Sequence, residues 1–223
     1  MQMKDNTVEL INLYLKEKIA IAQAFPVQDV VKLVEMVWRT YEHDAAVYVF
    51  ANGGPAGIAE GFATDLKIHP FVSDDKKEAT EIRRLKVHCL NESSAVLTAI
   101  SNDLGYKYVF VEQLKNYLRS KEKNQYDLLV GFSGSGNSEN IIEAIRHAKG
   151  FGVLTCCVSG RGGGKAKDMA DISIIIPGSS NFPGQQFGND NNFHIEDFQT
   201  SVTHMVTGIL KDKVMEKYGK NRT

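Results

Sequence analysis

Eight residues, Gly131-Phe132-Ser133-Gly134-Ser135-Gly136-Asn137-Ser138, place three serines and three glycines between an apolar run at 126–130 and a segment of helical spacing. That composition suits the gripping of a phosphate. Glycine lets a ligand approach the main chain without meeting a Cβ, and the hydroxyls supply donors. Ile141, Ile142, Ile145 and Ala148 then recur at helical spacing, which puts Ser138 at the N-cap. A helix N-terminus offers an anion unpaired N–H groups and the positive end of a dipole. Neither a Walker A loop nor a Gly-x-Gly-x-x-Gly fingerprint is present, so no nucleotide cofactor is expected. A Ser/Gly linker without chemistry is the alternative reading of the same residues.

A second group with chemical potential falls near the C-terminus, where an amphipathic helix is expected over 194–217 with Phe198, Val202, Met205, Val206, Ile209, Leu210 and Val214 on its apolar face. Glu196 and His204 stand eight positions apart on it, two turns along nearly one face, so a single ligand could meet both. A histidine with a purely structural place is the bland alternative. Cys89, Cys156 and Cys157 lie in apolar runs without Cys-x-x-Cys spacing and read as buried thiols of a reducing compartment.

The elements that must position these groups alternate. Strands are expected at 45–51, 86–90, 127–132, 153–158 and 172–176, and helices at 93–103, 106–121, 140–149 and 165–169, with another after the Asn52-Gly53-Gly54-Pro55 turn. Repeated β-α units imply an α/β fold, a five-stranded parallel sheet with helices on both faces. Ligands of such sheets sit beyond the C-terminal ends of the strands, where both glycine-rich turns fall. Two apolar series, one through Val8, Ile11, Leu15 and Ile19 and one through Val30, Val34, Val37 and Trp38, give two extra N-terminal helices expected to pack between subunits. The stretches 67–84 and 178–192 read as surface loops, the second as a candidate lid.

The 223 residues are expected to form one domain, with 1–44 as N-terminal helices and 45–217 as core and C-terminal helix. A formal net charge of −1 with scattered basic residues argues against nucleic acid as a partner. The first residues lack the apolar core of a signal peptide and no run approaches a bilayer span, so a cytoplasmic protein without a membrane partner is expected.

The loop Phe132-Ser133-Gly134-Ser135-Gly136-Asn137-Ser138 closely resembles the phosphate loop of SIS (sugar isomerase) domains. Further segments resemble one branch of that family, the D-sedoheptulose 7-phosphate (phosphoheptose) isomerases: Asn52-Gly53-Gly54, Phe62-Ala63-Thr64-Asp65-Leu66, Leu97 through Asn102 and Asp103, Gly162-Gly163-Gly164-Lys165, and Ile195-Glu196-Asp197 through His204. The resemblance implies a single SIS-type three-layer sandwich and a homotetramer with active sites at subunit boundaries. It also implies a phosphosugar ligand held by Ser133, Ser135, Asn137 and Ser138, with Asn52, Gly53, Gly54, Glu92, Asn102, Asp103 and Glu196 around the sugar. It makes Asp65 the base and His204 the proton donor of an aldose–ketose isomerisation through a cis-enediol, chemistry that requires such a pair. The implied reaction takes sedoheptulose 7-phosphate to D-glycero-D-manno-heptose 7-phosphate, in heptose biosynthesis.

The departures are as specific as the matches. Asp65 stands where the branch has glutamate, shortening the base by roughly 1.5 Å. Gly61 stands at the histidine of zinc-binding members, Glu196 at their glutamine, Pro55 at a substrate-binding serine, and Glu92 where an aspartate is common. Zinc would therefore rest on Asp65, Glu196 and His204, three ligands with an open position, with His43, His69 or His194 as conceivable substitutes. Two alternatives stay open: a non-catalytic phosphosugar-binding or regulatory SIS protein, and an isomerase of a different phosphosugar.

Overall fold

The computed structural model describes residues 6–185 and 191–219. Its centre is one parallel sheet of β1 (Ala46–Ala51), β2 (Lys86–Cys89), β3 (Leu128–Ser133), β4 (Leu154–Ser159) and β5 (Ile172–Ile175), in the order β2-β1-β3-β4-β5. Every strand end lies within one residue of its expected position. β1 and β3 are buried on both faces, which is why they read as continuous apolar runs.

The helices are α1 (Thr7–Gln23), α2 (Val27–Glu42), α3 (Gly54–Ile68), α4 (Ser94–Asp103), α5 (Val111–Leu114), α6 (Lys121–Asn124), α7 (Glu139–Gly150), α8 (Gly164–Met169) and α9 (Asn192–Tyr218). Side-chain alternation along the strands sorts them into layers. Val47, Val49, Leu128, Val130, Phe132, Cys156 and Val158 join α2, α3 and α9 in one core, while Tyr48, Phe50, Leu129 and Cys157 join α5, α7 and α8 in the other. The result is the three-layer sandwich. Cys89, Cys156 and Cys157 are free and buried, and burial pushes the Cys157 thiol up to about 12.

Three local differences have physical causes. The single helix expected over 106–121 is a 3-10 turn (Tyr106–Tyr108), α5 and a run of turns. Val109, Phe110, Leu114 and Leu118 are buried as helical spacing demands, but Asn124 Oδ1 accepts the backbone N–H groups of Arg119 and Ser120 and ends the series. The N-terminal pair is also not uniform. α2 buries Val30, Leu33, Val34, Val37 and Tyr41 in the chain's own core, with Trp38 packed at its edge and Val27 and Val31 exposed, whereas α1 keeps the longer exposed apolar stripe. On the last helix, Met205 and Ile209 stand outside the buried face. In the first long loop, α3 runs on to Ile68 and a 3-10 turn, His69–Phe71, buries Phe71 before the chain turns outward.

Candidate functional site

In the order β2-β1-β3-β4-β5 the chain reverses direction of travel between β1 and β3, and the crevice beyond their C-terminal ends is the usual place for a ligand in such sheets. The turn after β1 carries Asn52, Gly53 and Gly54. The loop after β3 carries Ser133 through Ser138.

That loop is built from its own side chains. Ser133, buried, accepts the Gly136 N–H on Oγ at 2.9 Å, and Ser135 Oγ accepts the Asn137 N–H at 3.2 Å. Asn137 Oδ1 accepts the Lys165 N–H at 3.0 Å, which joins the loop to the first turn of α8. Gly136 has φ +68, and a Cβ there would lie 2.0 Å from the Gly163 carbonyl oxygen, so no other residue fits without a shift. Ser138 holds the N-cap of α7 as expected, but its side chain makes no capping bond. The positive end of α7 faces the loop.

Asn52 is held from two sides. Its Nδ2 donates to Asn140 Oδ1 and its Oδ1 accepts from Asn140 Nδ2, both at 2.7 Å, and the Tyr106 hydroxyl donates to Oδ1 at 2.9 Å. Asn91, just past β2, pairs its side-chain amide with both the N–H and the carbonyl of Ala51 at 2.9 Å, clamping the end of β1.

α9 closes the crevice from one side. Gln199 donates to the carbonyls of Ser133 at 3.1 Å and Val158 at 2.9 Å, and Asn192 Oδ1 accepts from Arg161 at 2.7 Å. The Glu196 carboxylate lies where a side chain on Gly54 would begin, 2.6 Å from that point. Burial, and then the charge of Asp197, push the Glu196 carboxyl above the ordinary range. Asp197 differs: burial pushes it up, but Lys18 at 2.8 Å and the Tyr14 hydroxyl at 2.6 Å outweigh burial and hold it low.

Asp65 is half-buried on α3 and His204 is exposed on α9. Neither side chain has a hydrogen-bond partner among the described residues. α3 and α9 pack side by side, Gly54 against Glu196 at their starts and Asp74, beyond α3, with Lys211 at 2.8 Å further along. Asp65 therefore lies about 16 Å down its helix and His204 about 12 Å down its own, level to within about one turn. Among the described residues, no three His, Cys, Asp or Glu side chains stand close enough to hold a metal ion. Asp65, Glu196 and His204 of one chain therefore do not form such a group. A side chain at Gly61 would stand in open space.

The remaining expected residues sit further out. Glu92 is paired with Lys67 at 2.6 Å, and Asn102 donates to its neighbour Asp103 at 2.9 Å on the exposed end of α4. Among the described residues, no hydrogen bond joins the latter two to the crevice. In the candidate lid, Ser180 and Asn181 are bonded to Glu17 of α1, while 186–190 lie outside the described residues. A cavity of about 510 Å³ lined by Tyr41, Arg83, Met215 and Tyr218 lies at the far end of α9 and contains none of these groups; one of about 410 Å³ touches the loop at Asn137.

Asn140, Tyr106, Asn91, Gln199 and Glu17 were not singled out from sequence. Asn140 had a signal: with Ala144 and Ala148 it forms an i, i+4, i+8 stripe in which a polar residue occupies a core position.

Fold and site together define a doubly wound α/β protein with a serine- and glycine-rich loop at its switch point. The family model described as SIS domain matches residues 14–160. The phosphoheptose isomerase of Helicobacter pylori (strain P12) is 35% identical over 144 residues, 65% of this chain and 68% of that protein. The phosphoheptose isomerase of Chlorobium limicola is 32% identical over 170 residues, 76% of this chain and 73% of that protein. The structure of phosphoheptose isomerase GmhA from Neisseria gonorrhoeae superposes with a TM-score of 0.75 over 92% of this chain and 99% of that one, at 24% identity, a likeness of fold. The chain belongs to the SIS domain family and, within it, to the phosphoheptose isomerase family.

Proposed function

We propose that this protein is an aldose–ketose isomerase that converts sedoheptulose 7-phosphate to D-glycero-D-manno-heptose 7-phosphate through a cis-enediol. The observation that carries this reading is the likeness to the phosphoheptose isomerases, supported by a serine- and glycine-rich loop at the switch point of the sheet and by Asp65 and His204 at level positions on the packed helices α3 and α9. Ser133, Ser135 and Ser138, with the positive end of α7, hold the phosphate. The sugar chain then runs toward Asn52 and the space between α3 and α9. Asp65 takes the proton from C1 of the ketose and returns it to C2, while His204 moves the proton between the two oxygens. Histidine as a residue type changes charge near neutral pH and can serve in both directions.

His204 is exposed in one chain, so the site is completed where a second copy covers it. The exposed apolar stripe of α1, together with Met205 and Ile209, supports a homotetramer as the working form. Three buried free thiols support a reducing, cytoplasmic setting; among the described residues no helix is long and apolar enough to cross a membrane.

The test is NMR of sedoheptulose 7-phosphate with the protein in deuterated buffer, following deuterium entry and aldose formation. Asp65→Asn and His204→Ala should each lower the rate by about 10²–10⁴. Saturable binding without exchange in the parent protein would place the chain among phosphosugar-binding modules instead.

A further inference from the structure

An amide side chain offers two N–H donors and one oxygen with two lone pairs, and which end faces a neighbour follows from what that neighbour can do. The chain of constraints here begins at the main chain. The Ile141 N–H can only donate, and it lies 3.0 Å from one terminal atom of Asn140, which makes that atom Oδ1. Asn140 is buried, so its orientation is decided by these partners and not by solvent. Its Oδ1 also receives Asn52 Nδ2, and its Nδ2 therefore faces Asn52 Oδ1, each at 2.7 Å. The Tyr106 hydroxyl donates to the same Asn52 oxygen at 2.9 Å.

Both lone pairs of Asn52 Oδ1 are thus occupied. One of its two N–H groups goes to Asn140, and the other has no acceptor among the described residues. We infer that Asn140 and Tyr106 are positioning residues that lock the Asn52 amide so that it presents one N–H, and no oxygen, to the sugar.

The inference rests on the proposed function, and it adds a polarity to the site. The steps that form and consume the enediol gather negative charge on the oxygens of C1 and C2. A donor whose direction is fixed beforehand stabilises that charge without reorganising, whereas a free amide could turn its oxygen toward it. The same lock joins the sugar turn after β1 to the first turn of α7, so the phosphate end and the reacting end of the substrate are held on one rigid unit.

The variant that separates this role from a structural one is Asn140→Asp. It keeps shape and both acceptor contacts but offers no N–H to Asn52 Oδ1, and a carboxylate oxygen then faces the amide oxygen in either orientation, so the Asn52 amide is no longer locked. With sedoheptulose 7-phosphate, kcat should fall at least about tenfold, while the dissociation constant for inorganic phosphate stays within about twofold because the serine loop is untouched. Tyr106→Phe, on an exposed ring, removes one of two donors and should lower kcat about threefold with the fold intact. A kcat within twofold of the parent in Asn140→Asp would overturn the inference. So would a loss of phosphate affinity in step with kcat, which would make Asn140 a scaffold of the loop.

If the parent protein does not turn over the sugar at all, the proposed function fails, and the lock is decided separately from the Asn52 side-chain amide signals, assigned by their loss in Asn52→Asp. One slowly and one rapidly exchanging proton, equalised by Asn140→Asp, supports the lock. Two equally fast protons in the parent overturns it.

Discussion

Ser133 and Ser135 look alike in sequence and differ in the fold. Ser133 is buried and its Oγ satisfies the Gly136 N–H, while Ser135 is partly exposed. Ser133→Ala should weaken phosphosugar binding about tenfold or more and also cost about 1–3 kcal/mol of stability through the unpaired N–H. Ser135→Ala should show the first effect without the second, by calorimetry and urea unfolding. At Glu196 the folded carboxyl holds its proton more tightly than the unfolded chain's does. Its favourable contribution is therefore complete below the ordinary glutamate range and is lost as pH rises through the raised value. Glu196→Gln should melt about 1–2 °C above the parent at pH 8, and the gap should close below about pH 4. A gap that widens on acidification would contradict this assignment.

Elements hold the site through few contacts, and α1 supplies the least expected of them. Its Glu17, largely buried, accepts the Ser180 hydroxyl and the Asn181 N–H at 2.7 Å and pairs with His194 Nε2 at 3.0 Å. Tyr14 stacks on His194 with ring centroids 4.2 Å apart and bonds Asp197. One face of α1 thereby ties the 178–185 loop to the first turn of α9, where Glu196 and Asn192 sit. Burial raises the Glu17 carboxyl, but these bonds outweigh it and hold it low. Its contribution is present above the ordinary glutamate range and lost as pH falls through the folded value. Glu17→Gln should cost about 1–3 kcal/mol at neutral pH and flatten the acid limb of a melting-temperature profile. A profile parallel to the parent's would remove Glu17 from the account. The same scale explains Gly136: an alanine there meets both an unfavourable φ and the Gly163 carbonyl, so Gly136→Ala should abolish phosphate binding before it unfolds the sheet.

The whole molecule leaves apolar surface uncovered within a single chain. Val8, Ile11, Leu15 and Ile19 of α1 are each more than half exposed. An exposed apolar stripe of that length marks an interface. Leu15→Glu combined with Ile19→Glu should shift sedimentation from an oligomer to the single chain and lower isomerase activity in parallel, because His204 loses its cover. A parent protein that sediments as a single chain at micromolar concentration would sink the tetramer proposal.

Local order was legible in the sequence. Strand ends, the place of the serine- and glycine-rich loop, the N-cap at Ser138 and the long last helix follow from apolar periodicity and glycine placement, which act between residues close along the chain. The helix misread over 106–121 marks where such reasoning stops: burial repeated at helical spacing, but one asparagine side chain, Asn124, captured the backbone. Strand order, and with it the crevice between β1 and β3, depends on pairings between distant segments that no local pattern encodes. The same holds for the Asn52–Asn140 amide pair, 88 positions apart, and for Glu17 with His194, 177 apart. Residue type determined which groups could donate, accept or move a proton. Only the tertiary structure decided which of them meet, because a hydrogen bond is set by distance and direction in space and not by separation along the chain.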